Sequence, residues 1–255
     1  MKALAEHIKD LPSRREPAYR QIDAFTPEER RRIAEKLGDE SMYNVDLLRQ
    51  AMLEAPENTE VRKALVHAIA SIEFAAIDSF SRKVCEWQDW DVPPSLILAL
   101  ARQTWDEVRH AHLGKELVES YGGRIGEYPD TLGGQDQAQR EFLREPVVSL
   151  SATNVSLEGA GLNLFSGMKR LAAHVGDRLM EHCFDYNWAD EVTHVLIGDY
   201  FVRRLCAGKP EEEQKALRAH ALSEASRGNL TPEQRREIER LFGDELQRGA
   251  AALSG

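Results

Sequence analysis

The chain has 255 residues, 42% of them hydrophobic and 30% charged, and a formal net charge of −10. That length can bury a core without staples, the balance is that of a globular protein, and the acidic charge argues against a nucleic-acid partner, whose affinity needs cationic neutralisation of phosphates. Cys85, Cys183 and Cys206 form no CxxC pair, the longest strongly apolar stretch is only Leu96 to Ala101, and the first residues lack a signal-like apolar core. A cytoplasmic protein with no membrane partner is the expectation.

Thr26-Pro27-Glu28-Glu29 and Thr231-Pro232-Glu233-Gln234 read as capping boxes with proline at the first helical position. The basic run Arg30-Arg31-Arg32 between them lies among Glu28, Glu29 and Glu35 and reads as a solvated helix face. Long helices are expected over 59–87, 93–121, 146–172 and 177–207, with starts at Pro93-Pro94 and Pro146 and stops at Gly122-Gly123 and Gly208. The first two are joined by Gln88 to Val92 and the last two by a turn at Val175-Gly176, so each pair should form an antiparallel hairpin. Gly122 to Glu145 is long enough to run the height of the helices, at about 3.3 Å per extended residue. Two hairpins with one long crossover is a known connection of a four-helix bundle. Residues 1–58 and 209–255 would add helices around a 59–208 bundle, as packing or as a homodimer surface.

The two hairpins repeat. Ser71-Ile72-Glu73 continues to Asp78-Ser79-Phe80-Ser81, and Ser156-Leu157-Glu158 continues to Asn163-Leu164-Phe165-Ser166, at an offset of 85 residues. Asp106-Glu107-Val108-Arg109-His110 is matched by Asp190-Glu191-Val192-Thr193-His194 at an offset of 84. Shared apolar spacing is ordinary for amphipathic helices, but a duplicated Glu and a duplicated Glu-x-x-His are not.

Glu107 and His110 lie three apart on a helix, so their side chains leave one face about 5–6 Å apart, and Glu191 and His194 do the same. Glu73 and Glu158 would point into the same space. Glutamates inside an apolar bundle are costly unless paired or metal-bound, and two divalent cations would cancel four carboxylates. Carboxylate and imidazole without thiolate suit iron or manganese, singly or mixed, and the bridging-carboxylate layout favours two irons. Asp106 and Asp190 would orient the histidines by accepting an Nδ1–H. Arg109 pairs with one of them or faces solvent. Phe80 and Phe165 should pack beneath the site and keep it dry. Gly159 and Gly161, opposite Phe74 and Ala76 in the repeat, leave either a close helix contact or a pocket beside Glu158, with a π-bulge as one device. His67 and the remaining histidines carry no ligand spacing.

These motifs resemble the di-iron carboxylate oxygenases of the ferritin-like superfamily, in which the Asp of DExRH backs a ligand histidine. Over 60–205 the chain more closely resembles an uncharacterised bacterial ferritin-like family known only as a domain of unknown function. The resemblance implies an all-α ferritin-like fold and the ligand set above, and Thr193 departs from it where oxygenases often carry arginine. The expected function is a dioxygen-dependent oxidase or oxygenase acting on a small-molecule substrate, with electrons from a donor protein. The alternatives are a ferroxidase or peroxide-scavenging protein without organic substrate, or a structural metal site.

Overall fold

The computed structural model describes residues 45–128 and 144–226, which are helical with turns and contain no strand. In chain order these are α1 (Val45–Glu54), α2 (Thr59–Glu86), a 3₁₀ turn (Trp87–Asp89), α3 (Pro94–Ser120), α4 (Pro146–Leu150), α5 (Glu158–His174), α6 (Arg178–Cys206) and α7 (Pro210–Ser226). A π-helical segment, Ser151–Leu157, joins α4 to α5 without leaving helical dihedrals. The expected helix starts at Thr26 and Thr231 and the Arg30–Arg32 run lie outside the described residues.

The helix ends follow local chemistry. Asn58 Oδ1 accepts from the amides of Glu60 and Val61 at 3.0 and 3.4 Å, which opens α2. Asp177 does the same for α6 through the Met180 amide at 3.1 Å. Pro94 begins α3, where its missing N–H costs nothing. Gly122 and Gly176, with φ of 77° and 73°, take the left-handed turn that lets the chain leave α3 and α5.

α2 packs along α3, and α5 along α6. Gly114 lies against Ala70, His110 reaches Glu73, and Leu96 and Leu100 share a cluster with Trp87, so α2 and α3 run antiparallel. Phe165 stacks on Phe184 and Gly198 abuts Asn154, so the strand of helix from the π segment through α5 opposes α6 in the same way. Tyr128, beyond α3, donates to Glu60 at one end of α2, and its ring meets His67 at 5.3 Å. Arg144 accepts from Trp87 Nε1 at 3.0 Å at the other end. Those two points are separated by most of α2, about 40 Å at 1.5 Å per residue. The described ends of the connection therefore lie near opposite ends of α2.

Apolar packing falls into two clusters. One gathers Leu48 and Met52 of α1 with Leu65, Leu117, Met168 and Phe184. The other gathers Phe80, Trp87, Leu100, Leu150 and Phe201 with Ala216 of α7. α7 also ties down the π segment, where Ser151 Oγ donates to the Ala216 carbonyl at 2.6 Å. By length and composition Thr59–Asp89 is apolar enough to cross a membrane. Its most apolar window is 61% buried within the protein, as in a core helix.

Small residues set the approach of the helices. A Cβ on Gly198 would stand 2.6 Å from Asn154 Cβ and 3.0 Å from its backbone, whereas a Cβ on Gly159 would meet nothing within 4 Å. Gly198→Ala should therefore cost about 1–3 kcal/mol by overpacking, and Gly159→Ala should gain up to about 1 kcal/mol of helix propensity. Urea denaturation measures both. Equal destabilisation of the two variants would contradict this packing.

Candidate metal centre

Between the two apolar clusters lies a polar layer. α3 contributes Gln103, Asp106, Glu107 and His110 from one face, α6 contributes Asn187, Asp190, Glu191 and His194, α2 contributes Glu73, and Glu158 opens α5. Glu73, Glu107, His110, Glu191 and His194 are buried, at 5% exposure or less, while Glu158 is only partly covered. Helical spacing explains the grouping on α3 and α6, because positions four and seven apart share a face. Bringing α2 and α5 to the same layer is the work of the hairpins.

The six sequence-derived ligand residues fall into two overlapping groups. Ligand atoms of Glu73, Glu107, His110 and Glu191 lie within 4.8 Å of one another, and so do those of Glu107, Glu158, Glu191 and His194. Glu107 and Glu191 belong to both. His110 Nδ1 stands 3.3 Å from Glu73, 3.4 Å from Glu107 and 3.5 Å from Glu191. His194 Nδ1 stands 3.3 Å from Glu107 and 3.2 Å from Glu191. Such groups could hold a metal ion, and the donor set does not name which one.

The aspartates cross between helices. Asp190 on α6 lies 3.2 Å from His110 Nε2 on α3, and Asp106 on α3 lies 3.5 Å from His194 Nε2 on α6. The sequence reading gave the aspartates the Nδ1–H. The structure corrects this, turning Nδ1 of both rings toward the glutamates and Nε2 toward the aspartates. Arg109 does not face solvent. Its guanidinium donates to Asp190 at 2.9 Å and also to Asp106 and the Tyr186 hydroxyl. Arg102, unremarked in the sequence, donates from Nε to both oxygens of Asp106 at 2.9 and 3.0 Å. Its position, four residues before Asp106, was the available signal.

A second set of residues was missed. Lys83 Nζ, on α2, donates to Thr153 Oγ1 at 2.6 Å, and Thr153 Oγ1 lies 3.1 Å from Asn154 Oδ1. Asn154 Nδ2 donates to Gln103 Oε1 at 2.6 Å, and Gln103 Nε2 donates to Glu158 Oε1 at 3.0 Å. All four residues before Glu158 in this chain are buried. The π segment supplies two of them: the Glu158 amide reaches back five residues to the Thr153 carbonyl. That registers Thr153, Asn154 and Glu158 together toward the interior. Buried serine, threonine and asparagine in the run 149–156 were the sequence signal.

The remaining expectations divide. Phe165 packs edge-on to His110 at 6.4 Å between ring centres. Phe80 joins the apolar cluster of Trp87 and Leu100, with Lys83 Nζ 4.2 Å from its ring centre. Gly159 faces open space, but a Cβ on Gly161 would lie 3.8 Å from the Glu191 carboxylate, so Gly161 is a wall of the site itself. His67 is no ligand: it accepts the Gly126 amide at 2.8 Å, and burial holds its pKa down at about 4. It pins the start of the crossover.

The family model described as "Protein of unknown function (DUF455)" matches residues 15–239. The chain belongs to that family. No curated protein and no solved structure matches it.

The electrostatics of this DUF455 centre are those of carboxylates crowded in a dry layer. Burial, with Glu158 and Glu73 nearby, pushes the Glu107 pKa up to about 8, against the opposing effect of His110. Glu191 rises as well, from burial and from Glu158 and Glu107. Burial disfavours the His110 cation, yet Glu107 and Glu73 outweigh it and lift the ring to about 11. His194 is raised likewise by Asp106 and Glu107 against burial. Asp106 is buried too, but His194, Arg102 and Arg109 hold it well below the usual carboxylate range. Protons thus stand where cations would otherwise compensate the charge. Glu107 Oε1, buried and without a hydrogen-bond partner among the described residues, fits an ion there.

A metal ion would replace those protons, which fixes the pH dependence. A carboxyl raised from 4.5 to about 8 makes the folded state the better proton binder between those values. Stability of the metal-free protein should therefore fall as pH rises through that window. Binding of a divalent ion should tighten over it, because the ion competes with the protons. Thermal melts and metal titrations at several pH values test both trends. Metal affinity independent of pH there would remove Glu107 from the ligand set.

Proposed function

We propose that this DUF455 chain is a ferritin-like four-helix-bundle protein that holds two metal ions, with iron the first choice and manganese or a mixed pair the second. It is best read as a dioxygen-dependent oxidase or oxygenase acting on a small organic substrate. The observation that carries this is the pair of overlapping ligand groups sharing Glu107 and Glu191. Two groups with common carboxylates describe neighbouring ions rather than independent structural sites. One Glu from each of two helices and Glu-x-x-His from the other two is the layout of di-iron and di-manganese carboxylate bundles.

Two reduced ions would supply two electrons to dioxygen, and a donor protein would return them. The chain's own residues do the rest. Glu73, Glu107, His110, Glu158, Glu191 and His194 would hold the ions, with Glu107 and Glu191 common to both ligand groups. Asp106 and Asp190 hold the histidine rings and keep Nδ1 available. Arg109 ties the two aspartates into one unit, so the α3 and α6 halves keep a fixed spacing. Phe165 and the apolar clusters exclude water, which strengthens every charge interaction within. Gln103 holds Glu158 at an edge that is only partly covered.

That edge supports both the leading reading and its alternative. Partly covered Glu158, the open space over Gly159 and the 41% exposed Leu157 together make an approach to the centre. A small organic substrate could enter there, and so could a ferrous ion on its way to being oxidised and passed on. The second use is the ferroxidase reading.

Purified protein loaded anaerobically with ferrous iron should contain two ions per chain and consume dioxygen. A true substrate should accelerate that consumption and yield an oxidised product by mass spectrometry. Gly159→Leu, which adds bulk at the open edge and away from the ligands, should suppress the acceleration while leaving two ions bound. Asp106→Asn should weaken metal binding by roughly 10–100-fold. Dioxygen consumption that only grows a ferric mineral, unaffected by any small molecule, would establish the ferroxidase reading instead.

A further inference from the structure

The repeat extends further than its ligands, and the two halves part company at one position. Gln103 precedes Glu107 by four residues, and Asn187 precedes Glu191 by four, so a carboxamide stands one turn before each Glu-x-x-His. In the first half the amide is fully used: Gln103 donates to Glu158 at 3.0 Å and accepts from Asn154 at 2.6 Å. By the same symmetry Asn187 should serve Glu73. Its side chain is one methylene shorter, and it is 4% exposed with Oδ1 lacking any hydrogen-bond partner among the described residues. The counterpart of Asn154 on α2, at the offset of 85, is Ile69, which can donate nothing.

The gap is open. A cavity of about 10 Å³ lies there, lined by Ile69, Glu73, His110, Gly114, Cys183 and Asn187 among others. That is the lower limit for a single water-sized molecule, and water in such a place needs polar partners. An orphan buried acceptor is destabilising unless something donates to it. The cavity offers Asn187 Oδ1 and the Glu73–His110 edge on one side and apolar side chains on the other.

We propose that this cavity is the exchangeable-ligand position of the centre, taking a water-sized ligand beside the ion that Glu73 and His110 would hold, with Asn187 Oδ1 accepting a hydrogen bond from that ligand. The inference rests on the two-ion reading above. On the Glu158 side the amide of Gln103 is bonded at both its oxygen and its nitrogen, so no such orphan acceptor is left there. The duplicated centre is therefore asymmetric: small ligands meet one ion, and the solvent-reachable edge lies beside the other.

The test uses manganese(II)-loaded protein and water itself, read by water-proton relaxation, with bound manganese counted alongside. Wild-type protein should carry two ions and show exchanging water bound at the metal. Asn187→Gln restores the missing methylene, fills the cavity and should abolish most of that contribution with both ions still bound. Asn187→Ala leaves the space open and should retain it. Leu113→Phe, which projects into the same cavity from α3, gives the same loss should Asn187→Gln not fold. Two bound ions with no exchangeable water, or with water undiminished in the filled variants, overturns the proposal. Fewer than two ions in the wild type overturns the two-ion reading and this inference with it.

Discussion

The described residues are arranged around a layer of carboxylates that is largely buried, with Glu158 partly covered at its edge. Glu73, Glu107 and Glu191 are buried between two apolar clusters, and Glu158 closes the layer from the edge. Unpaired, each would cost several kcal/mol, and together they repel. The chain answers with shared protons, with histidines held cationic, and with the means to replace both by metal ions. Helices that pack on either side must meet this layer in register, which is why small residues such as Gly114 and Gly198 bring the backbones close just beyond it.

The surroundings of that layer are built in two unlike ways. On the α3–α6 side, Asp106, Asp190, Arg102 and Arg109 form an ionic lattice that faces the histidines from behind. Charge there is balanced within the lattice, so Asp106 is held well below the usual carboxylate range while burial pushes Glu107 and Glu191 up. On the α2–π-segment side the partners are neutral amides and a hydroxyl ending at Lys83. Burial drags the Lys83 pKa down to about 7 against the pull of Glu158 and Glu107. A buried amine with no carboxylate in contact would be hard to keep without that chain of acceptors and the Phe80 ring.

The π segment is the local irregularity that makes the second side possible. A regular helix would carry Thr153 and Asn154 round by a different angle relative to Glu158. The wider turn sets them on one inward face, and α7 holds it through Ser151. Such segments cost backbone hydrogen-bond geometry and persist where the surroundings hold them.

The sequence by itself determined the helices, the hairpins and the candidate ligand residues, because each depends on local spacing. Glu-x-x-His reads the same in any helix, and a duplicated copy at a constant offset identifies partners without coordinates. The helix starts at Asn58, Pro94 and Asp177 are likewise written in the capping residues. What only the tertiary structure decided is set across helices, where spacing along the chain says nothing. It turned Nδ1 of both histidines inward, crossed Asp106 to His194 and Asp190 to His110, and drew Arg109 between the aspartates. It set Gly161 against Glu191. It also joined Gln103 to Asn154 and left Asn187 unpaired, a difference of one methylene that sequence symmetry alone would have passed over. The physical reason is that a side chain's reach across a helix interface depends on how closely two backbones approach, and that distance is fixed only when the whole core packs.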